Sequence, residues 1–569
     1  MKWSHAAVFA AAVLVTGCYY DWAVRATGYE FTWNRSDLGG YYNLLARGFT
    51  EGHLYLPLEP DARLLALPNP LDPYAPGDIP KLFDAVLYNR RYYLYHGAGP
   101  AIMLFLPWLS YTGHDLPESF ALFLFCLGGY LFAALTLVTM LRMADVSPPA
   151  WILAIMLLAL GFCQSIPFLL SRVWVYEVAI GGGYFCVAAG LFFFARSQLS
   201  ARPFWPAASG LMFGMAVACR PNLIVAAAIA LVAVILSLRR RAVPFIAALL
   251  LVAAMVADYN YRRFGSIFEF GLNYQITGPG QGQLHPRLAN VLPGFYYMLL
   301  ARPEFTKIFP WVLLPFPARD FPRPSQYFIE PIAGALFLAP FLPLAYLALF
   351  VRKFRVVSWV TVMSASGILL FLATTGLSTQ RYEVDFLPWF VLASMLGIAV
   401  WLQRASGVRL RLLQALFTVA VMFGVVVNLA MGVTGPYDDM MKNKPDRYVA
   451  IARWLSPVAN LRPQWNPPLS QDFTASVSGG PKDLLFVGRK PVRYELVLDY
   501  VNGKPVLVSR FSGETVIKEI EPSANPVRFH VSYSPETHEM AVSANGVELL
   551  RQRIQNIITA PAQIVRIRE

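Results

Sequence analysis

The sequence predicts a polytopic α-helical membrane protein with a β-rich domain at its C-terminal end. Of its 569 residues, 56% are hydrophobic and only 14% are charged, whereas soluble domains average roughly 25% charged residues. The aromatic share is 14%, and Tyr and Trp concentrate at membrane–water interfaces. This composition excludes a disordered or fibrous chain and disfavours a soluble globular enzyme.

Eleven apolar runs approach the length needed to cross roughly 30 Å of hydrocarbon. These predicted spans are residues 5–25, 118–141, 150–170, 178–195, 204–219, 222–237, 242–258, 329–351, 356–375, 386–402 and 411–432. Residues 100–112 are also apolar, but the segment is short and contains Pro100 and Pro107. We interpret it as an interfacial or re-entrant helix on the outer side.

Basic residues in short loops predict the orientation of the chain. The net charge is +13, and positive residues concentrate in cytoplasmic loops. The basic positions in these loops are Arg142, Arg196, Arg202, Arg239, Arg240, Arg241, Arg352, Lys353, Arg355, Arg404, Arg409 and Arg411. Their spacing places the N-terminus inside, with loops 26–117 and 259–328 and the C-terminal region outside. These loops account for the basic charge, so no nucleic-acid partner is predicted.

The first span allows two interpretations. Residues 15–18 follow a short basic and apolar start and resemble a lipoprotein cleavage box that would lipidate Cys18. An uncleaved first span is favoured, and both interpretations put the next loop outside. The five cysteines contain no CxxC pair, so neither a disulfide framework nor a zinc site is indicated.

The C-terminal region changes character near residue 470. We divide the chain into a membrane domain over 1–432, a linker with an amphipathic helix over 433–470, and a β-sandwich over 471–569. The predicted strands are 484–488, 493–500, 505–510, 528–533, 540–544 and 547–551, with Asn-Gly turn signals at 502–503 and 545–546. A structural or docking role for this domain is favoured over carbohydrate binding.

Ionisable residues at a membrane boundary are costly and therefore informative about function. On this topology, a set of them converges on the outer face: Asp37, Lys81, Asp84, Arg90, Arg91, His96, Arg172, Glu177, Arg220, Arg262, Arg263, Glu269, Arg381, Glu383 and Asp385. Arginine binds phosphate through its planar fork, and a carboxylate can act as general base towards a hydroxyl. Such a surface suits a substrate with a lipid tail in the bilayer and a polar head outside it.

Several of these residues have structural alternatives. Asp37 could cap a helix over 38–48, and Glu177 could form an ion pair with Arg220. Arg262 and Arg263 could anchor to lipid head groups. The histidines His53, His96 and His285 are favoured as polar loop residues over metal ligands, and Asp61, Asp72 and Asp78 as solvated turn residues.

A series of motifs over roughly residues 1–430 resembles the GT-C superfamily of membrane glycosyltransferases, which use polyprenyl-phosphate sugars. The first is Asp37, which precedes a Tyr-rich helix after the first span. The others, in order, are Tyr92–Ala101, Tyr176-Glu177, Cys219–Asn222, Tyr261–Ser266 with Phe270–Gln275, and Arg381–Phe386. The β-rich tail resembles accessory sandwich domains of such enzymes.

The resemblance implies an inverting glycosyltransferase at the outer face of the cytoplasmic membrane, acting in cell-envelope polysaccharide assembly. It assigns Asp37 as general base and Glu177 or Asp84 as the residue that orients the acceptor or the sugar. The residues that it assigns to substrate binding are Arg90, Arg91, His96, Arg220, Tyr274, Arg381 and Tyr382. The acceptor would be a glycan, a lipid or a protein.

Members of this superfamily often carry an acidic pair early in the first loop, whereas this chain has only Asp37 there. A requirement for a divalent metal ion therefore stays open. Two other functions also stay open: a flippase or transporter of lipid-linked sugars, and a non-catalytic subunit of polysaccharide assembly. The absence of a clear internal repeat disfavours the transporter.

Overall fold

Long apolar helices dominate the first three quarters of the chain. The computed structural model describes residues 3–31, 40–72, 79–276, 286–306, 309–314, 321–436, 439–455, 464–465, 467–478, 480–487, 494–501, 503–511, 514–523, 525–554 and 558–559. The chain divides into two units. The first contains residues 1–304 and 314–432, and the second contains residues 305–313 and 433–569.

The first unit is helical. Its α-helices are α1 (Trp3–Ala26), α2 (Tyr41–Thr50), α3 (Ala62–Leu65), α4 (Leu106–Thr112), α5 (Glu118–Met143), α6 (Ala150–Phe162), α7 (Ile166–Leu170), α8 (Val175–Leu199), α9 (Phe204–Cys219), α10 (Ile224–Leu238), α11 (Val243–Phe264), α12 (Val291–Phe295), α13 (Ala335–Leu338), α14 (Arg355–Thr374), α15 (Leu387–Arg404) and α16 (Gly407–Thr434). Its short strands include β1 (Val86–Tyr88) and β2 (Arg91–Tyr93).

Seven helical segments in the described part of the chain are long and apolar enough to cross a membrane: Trp3–Ala26, Glu118–Met143, Val175–Leu199, Pro221–Phe264, Arg352–Thr374, Leu387–Arg404 and Gly407–Asn443. The chain is therefore a multi-pass membrane protein, as its composition predicts. Residues 101–112 form a helix of two parts, a π-helical turn followed by α4. At a rise of about 1.5 Å per residue this segment is too short to cross the hydrocarbon.

Two predicted spans are not continuous helices. The run 329–351 contains only the four-residue helix α13 and a 3₁₀ helix, Leu342–Phe350. Its prolines, Pro331, Pro340 and Pro343, remove backbone donors and interrupt α-helical hydrogen bonding, which the apolar composition alone does not reveal. The run 150–170 is broken between α6 and α7, where Ser165 adopts a left-handed conformation with φ of 55°.

The helix after the first span also differs from its prediction. It begins at Tyr41, and Gly40 is its N-cap residue, with no side-chain capping hydrogen bond. The described helix therefore starts later than the expected helix over 38–48, and the capping role of Asp37 stays a prediction. Asp37 itself lies outside the described residues.

Helix α8 packs against α5 and α9, and α11 packs against α9. The contact between α9 and α11 depends on Gly210, because a Cβ atom built there would lie 2.2 Å from the carbonyl oxygen of Phe245. Small residues permit such close approach of membrane helices. This contact fixes the position of α11, whose C-terminal end carries Arg262 and Arg263.

The second unit contains two four-stranded antiparallel sheets. Its helices are α17 (Asp439–Asn443) and α18 (Pro445–Leu455), and α18 corresponds to the predicted amphipathic segment. The remaining short strands of the chain are β3 (Glu304–Phe305), β4 (Val312–Leu313), β5 (Phe328–Ile329), β6 (Leu377–Ser378), β7 (Gln464–Trp465) and β16 (Ile558–Thr559). The sheet strands are β8 (Leu469–Ala475), β9 (Lys482–Val487), β10 (Tyr494–Val501), β11 (Lys504–Phe511), β12 (Glu514–Glu519), β13 (Val527–Ser534), β14 (Glu539–Ala544) and β15 (Val547–Arg553).

One sheet has the strand order β12-β11-β10-β9 and the other β15-β14-β13-β8. A buried hydrogen bond of 2.6 Å from Ser509 Oγ to Gln552 Oε1 joins them. Asn545 and Gly546 both have positive φ at the predicted turn between β14 and β15, as a tight two-residue hairpin requires. The sequence did not predict β8 and β12, which are edge strands; β12 is exposed throughout and shows no alternating pattern.

The helix contact at Gly210 generates a stability prediction. We expect Gly210→Ala to lower the stability of the purified protein in detergent by about 1–3 kcal/mol, because the added methyl group forces α9 and α11 apart. Gly17→Ala is the matched control, since its Cβ atom would meet Leu127 at an ordinary 3.5 Å. Equal unfolding midpoints for the two variants would contradict the close packing.

Candidate active site

The site is organised around one short 3₁₀ helix, Gln380–Asp385, which we call the site turn. It lies between β6 and α15. The side chains of Arg381, Glu383 and Asp385 are all buried. Buried charges must be paired or neutralised. The partners of these three side chains therefore show which parts of the chain the site turn connects.

Asp385 pairs with Arg220 at the end of α9. Nη2 and Nε of Arg220 donate to the same carboxylate oxygen, Oδ2, at 2.8 and 3.1 Å. Asn222 Nδ2 donates to that oxygen too, at 2.8 Å. The guanidinium of Arg220 also lies 5.1 Å from the ring centre of Tyr382. The expected ion pair between Glu177 and Arg220 is therefore wrong.

Arg381 bridges two carboxylates. Its Nη2 donates to Glu330 Oε1 at 3.0 Å, and its Nη1 lies 3.5 Å from Glu177 Oε1. Its guanidinium lies 4.5 Å from the ring centre of Tyr176. Glu177 is in the first turn of α8, so this contact ties the site turn to the start of that helix.

Sequence reasoning missed Glu330. It lies inside the run 329–351 that hydropathy predicts as a span, and it precedes Pro331. The signal was available, because a lone carboxylate in an apolar run is expensive unless it has a partner. Thr379 Oγ1 also donates to Glu330, at 2.7 Å.

Asp84 belongs to the same group of charges. It is 5% exposed, and its backbone N–H donates to the carbonyl oxygen of Ile276 at 2.8 Å. Burial raises the pKa of its carboxyl group to about 7, with Arg381 opposing the shift, Glu330 adding to it and Arg172 opposing it. A carboxyl group with this pKa can hold or release a proton near neutral pH.

The imidazole of His96 packs next to an aromatic ring of the site. Its ring centre is 5.0 Å from that of Tyr176. Burial, together with Arg220 and Arg381, lowers the pKa of the imidazole to about 3, so the ring is neutral at physiological pH. The next residue, Gly97, packs on the end of α9, where a Cβ atom would lie 1.9 Å from the carbonyl oxygen of Ala218. Among the described residues, His96 Nε2 has no hydrogen-bond partner.

An apolar groove of about 230 Å³ lies beside the segment that carries His96. Tyr95, Gly97 and Ala98 line it next to His96, and Arg263 lines it from the end of α11. Its apolar walls come from α2, the 101–112 helix, α9 and α11: Phe49, Ile102, Met215, Val217, Val252, Met255 and Val256. We call this feature the apolar groove.

Arg263 is the buried cation of the apolar groove. It is 5% exposed, and it donates to the carbonyl oxygen of Leu94 at 2.9 Å and to Asn260 Oδ1 at 2.7 Å. Within the described part of the chain, no carboxylate oxygen lies within 4.0 Å of its guanidinium, and its Nε has no hydrogen-bond partner. Asp258, which also lines the groove, pairs instead with Arg262. Arg263 is therefore not an exposed head-group anchor, whereas the side chain of Arg262 is 67% exposed.

The structure does not bring every predicted residue to this site. Arg90 and Arg91 are exposed at the β1–β2 hairpin, and Arg91 stacks 4.1 Å from the ring centre of Tyr55. Tyr274 packs beside the same hairpin, against Tyr88. His53 stacks on Tyr55 as well.

Other predicted residues can be placed or lie outside the described part. Asp61 caps α3 through the backbone N–H of Arg63. Asp37, Asp78 and His285 lie outside the described residues. Within the described ranges, no three His, Cys, Asp or Glu side chains are grouped to hold a metal ion.

Comparison with known proteins gives no match to a family model or to a curated protein sequence. Among solved structures, two show a likeness to this chain. The first is ArnT from Cupriavidus metallidurans bound to undecaprenyl phosphate, with 12% identity and a TM-score of 0.42 over 80% of this chain and 79% of that chain. The second is the oligosaccharyltransferase of Archaeoglobus fulgidus in the apo form, with 14% identity and a TM-score of 0.45 over 80% of this chain and 61% of that chain. At these scores the likeness assigns no activity to this chain.

The buried pair between Arg220 and Asp385 generates the second prediction. We expect Arg220→Met to destabilise the protein by about 3–5 kcal/mol, because it leaves the carboxylate of Asp385 buried without its cation. The double variant Arg220→Met with Asp385→Leu should recover most of that loss. Unfolding in detergent measures both variants.

Lys353 and Asp145 provide the control pair, since their side chains are 55% and 79% exposed. Lys353→Met should change stability by less than about 1 kcal/mol. If the double variant were no more stable than Arg220→Met, the explanation by an unpaired buried carboxylate would be wrong.

Proposed function

We propose that the chain transfers a sugar from a polyprenyl-phosphate donor to an acceptor hydroxyl group, with inversion, at the outer face of the cytoplasmic membrane. The observation that carries the proposal is the position of Arg263. A buried guanidinium with no described carboxylate oxygen within 4.0 Å lines an apolar groove, and Tyr95 and Gly97, the chain neighbours of His96, line the same groove. The lipid tail, the phosphate and the sugar of the donor would thus bind at adjacent sites.

The apolar groove suits the polyprenyl tail, and Arg263 suits the phosphate. Glu269 acts on this guanidinium electrostatically but makes no ion pair with it within 4.0 Å. A phosphate oxygen would supply a negative charge in direct contact, in a place where a charge-assisted hydrogen bond is strong. Arg220 and Arg381, which the sequence resemblance assigns to substrate binding, already have carboxylate partners. Arg220 contacts Asp385, and Arg381 contacts Glu177 and Glu330. We therefore assign them to shaping the sugar site, and Arg263 to the lipid phosphate.

Asp84 is the described carboxylate best suited to act as general base. Its pKa of about 7 lets it be ionised at neutral pH and still accept a proton. In the reaction, the acceptor oxygen attacks the anomeric carbon while its proton passes to the carboxylate. The bond from that carbon to the phosphate oxygen breaks, and the lipid phosphate leaves with the electron pair. Attack opposite the leaving group inverts the anomeric configuration.

His96 would contribute a neutral imidazole beside the sugar. Burial, together with the two nearby arginines, lowers the pKa of this imidazole and keeps it unprotonated. The ring can therefore form a hydrogen bond with a sugar hydroxyl without adding charge. The transition state is expected to resemble an oxocarbenium ion. The carboxylates of Glu177 and Glu330 would stabilise that developing positive charge.

Transfer itself is tested by incubating the purified protein with labelled polyprenyl-phosphate sugars and a panel of glycan, lipid and protein acceptors. A covalent labelled product supports the proposal. Movement of the lipid between leaflets of a vesicle without any product would identify a flippase instead. Binding of polysaccharide without either activity would indicate an assembly subunit.

The pH dependence of transfer tests the base. Because the carboxyl group of Asp84 is protonated below its pKa, transfer should rise with pH through about 7 and then level off. Asp84→Asn should reduce turnover by about 10²–10⁴-fold and remove that inflection. Turnover is measured from pH 5.5 to 9 at saturating donor.

Asp37→Asn is the comparison variant, because the sequence motifs assign the base to Asp37. Near-normal transfer by Asp84→Asn, with a loss of about 10²–10⁴-fold in Asp37→Asn, would return that role to Asp37. Circular dichroism and unfolding midpoints show whether each variant is folded.

Lipid-phosphate binding tests Arg263. We expect Arg263→Met to weaken the binding of undecaprenyl phosphate by about 10–100-fold, since a hydrogen bond to a charged group is worth about 1.5–3 kcal/mol. Arg262→Met is the matched control on the neighbouring exposed residue and should bind within about twofold of the unmodified protein. Equal losses in the two variants would contradict a specific phosphate site at Arg263.

A further inference from the structure

Glu383 is a buried carboxyl group that the proposed reaction does not use. It is 0% exposed, and no described Lys, Arg or His nitrogen lies within 4.0 Å of it. Its Oε2 accepts hydrogen bonds from Ser165 Oγ at 3.0 Å and Gln380 Nε2 at 2.6 Å. Within the described part, its Oε1 has no hydrogen-bond partner. An ionised carboxylate in such a place is costly, and burial raises the pKa of Glu383 well above its usual range.

These hydrogen bonds join the site turn to three distant parts of the first unit. Ser165 lies at the break between α6 and α7, and its backbone N–H donates to Asn428 Oδ1 of α16 at 3.0 Å. Gln380 Oε1 accepts from the backbone N–H of Ala333 at 2.7 Å. Gln380 Nε2 also donates to Ser165 Oγ, at 2.9 Å. Glu383 Oε2 therefore belongs to a set of hydrogen bonds that links Ser165 and Gln380 to the site turn.

The geometry of a 3₁₀ helix connects this network to the ion pairs. With three residues per turn, positions three apart lie on the same face. Gln380 and Glu383 thus share the face tied to Ser165, whereas Tyr382 and Asp385 share the face that contacts Arg220. A shift of the first face would move the second with it, because both faces belong to one six-residue helix.

We propose that Glu383, in its neutral form, is a positioning residue that holds Arg381, Tyr382 and Asp385 in place for glycosyl transfer. This proposal rests on the proposed function, but its structural part can be tested without activity. A neutral carboxyl group and a glutamine amide have the same shape and similar hydrogen-bonding capacity. The proposal therefore distinguishes Glu383→Gln from Glu383→Ala.

The kinetic test compares these two variants at several donor concentrations. Glu383→Gln should keep kcat/KM within about threefold, since the amide can replace the neutral carboxyl group. Glu383→Ala should lower kcat/KM by about 10–100-fold, the scale expected when reacting groups are displaced by about 1 Å. If kcat/KM fell as far in Glu383→Gln as in Glu383→Ala, the proposal that Glu383 acts in its neutral form would be overturned. Normal kinetics in Glu383→Ala would overturn the positioning role.

Hydrogen–deuterium exchange provides the readout that is independent of transfer. Backbone amides of residues 379–386 should exchange faster in Glu383→Ala than in the unmodified protein, and at the unmodified rate in Glu383→Gln. If no donor is turned over by the unmodified protein, the proposed function fails while this exchange result still decides whether Glu383 holds the site turn. Exchange that is unchanged in Glu383→Ala would overturn the structural part.

Ser165→Ala is the second variant, in case Glu383→Ala does not fold. It removes one of the two hydrogen bonds to Glu383 and leaves the carboxyl group in place. We expect a smaller increase in exchange over residues 379–386, with kcat/KM lowered by about 3–10-fold. The double variant Ser165→Ala with Glu383→Ala should lose less than the product of the two single losses, because both side chains act in one network. If the loss of kcat/KM in the double variant equalled the product of the two single losses, a shared network would be contradicted.

Discussion

The buried pair between Arg220 and Asp385 is the interaction on which the rest of the site depends. Both side chains are almost completely removed from solvent, at 9% and 1% exposure, so neither charge can be left without the other. Their pairing joins the end of α9 to the site turn. Asn222 and Tyr382 complete the surroundings of the pair, and the loop that carries His96 packs on the same helix end through Gly97.

The arginines of the first unit divide into two kinds by their partners. Arg220 and Arg381 are held by carboxylates, so their charge is largely balanced before any substrate arrives. Arg263 is held by a carbonyl oxygen, an amide oxygen and aromatic faces, none of which carries a full negative charge. Because a buried cation favours an anionic partner, this difference is the basis for proposing that Arg263, and not Arg220 or Arg381, binds the lipid phosphate.

The site turn combines two kinds of polar interaction on its different faces. Ion pairs to α8 and to the end of α9 fix Arg381 and Asp385, whereas hydrogen bonds to Ser165 fix Gln380 and Glu383. The break between α6 and α7 belongs to this arrangement, since Ser165 lies there in a left-handed backbone conformation. The irregular segments of the membrane unit are therefore the places where its polar groups meet.

The sequence by itself determined the class of protein and the places where charge accumulates. Apolar length and composition are local properties, so most of the helices lie where hydropathy predicts them, and the acids and arginines at their ends are visible in the same way. Hydropathy failed at 329–351, where prolines interrupt the helix and Glu330 lies unnoticed in an apolar run. Only the tertiary structure decided which acid meets which arginine, because these partners are far apart in the chain. Arg220 and Asp385 are separated by 165 positions, and several carboxylates are equally available to each arginine until the helices pack.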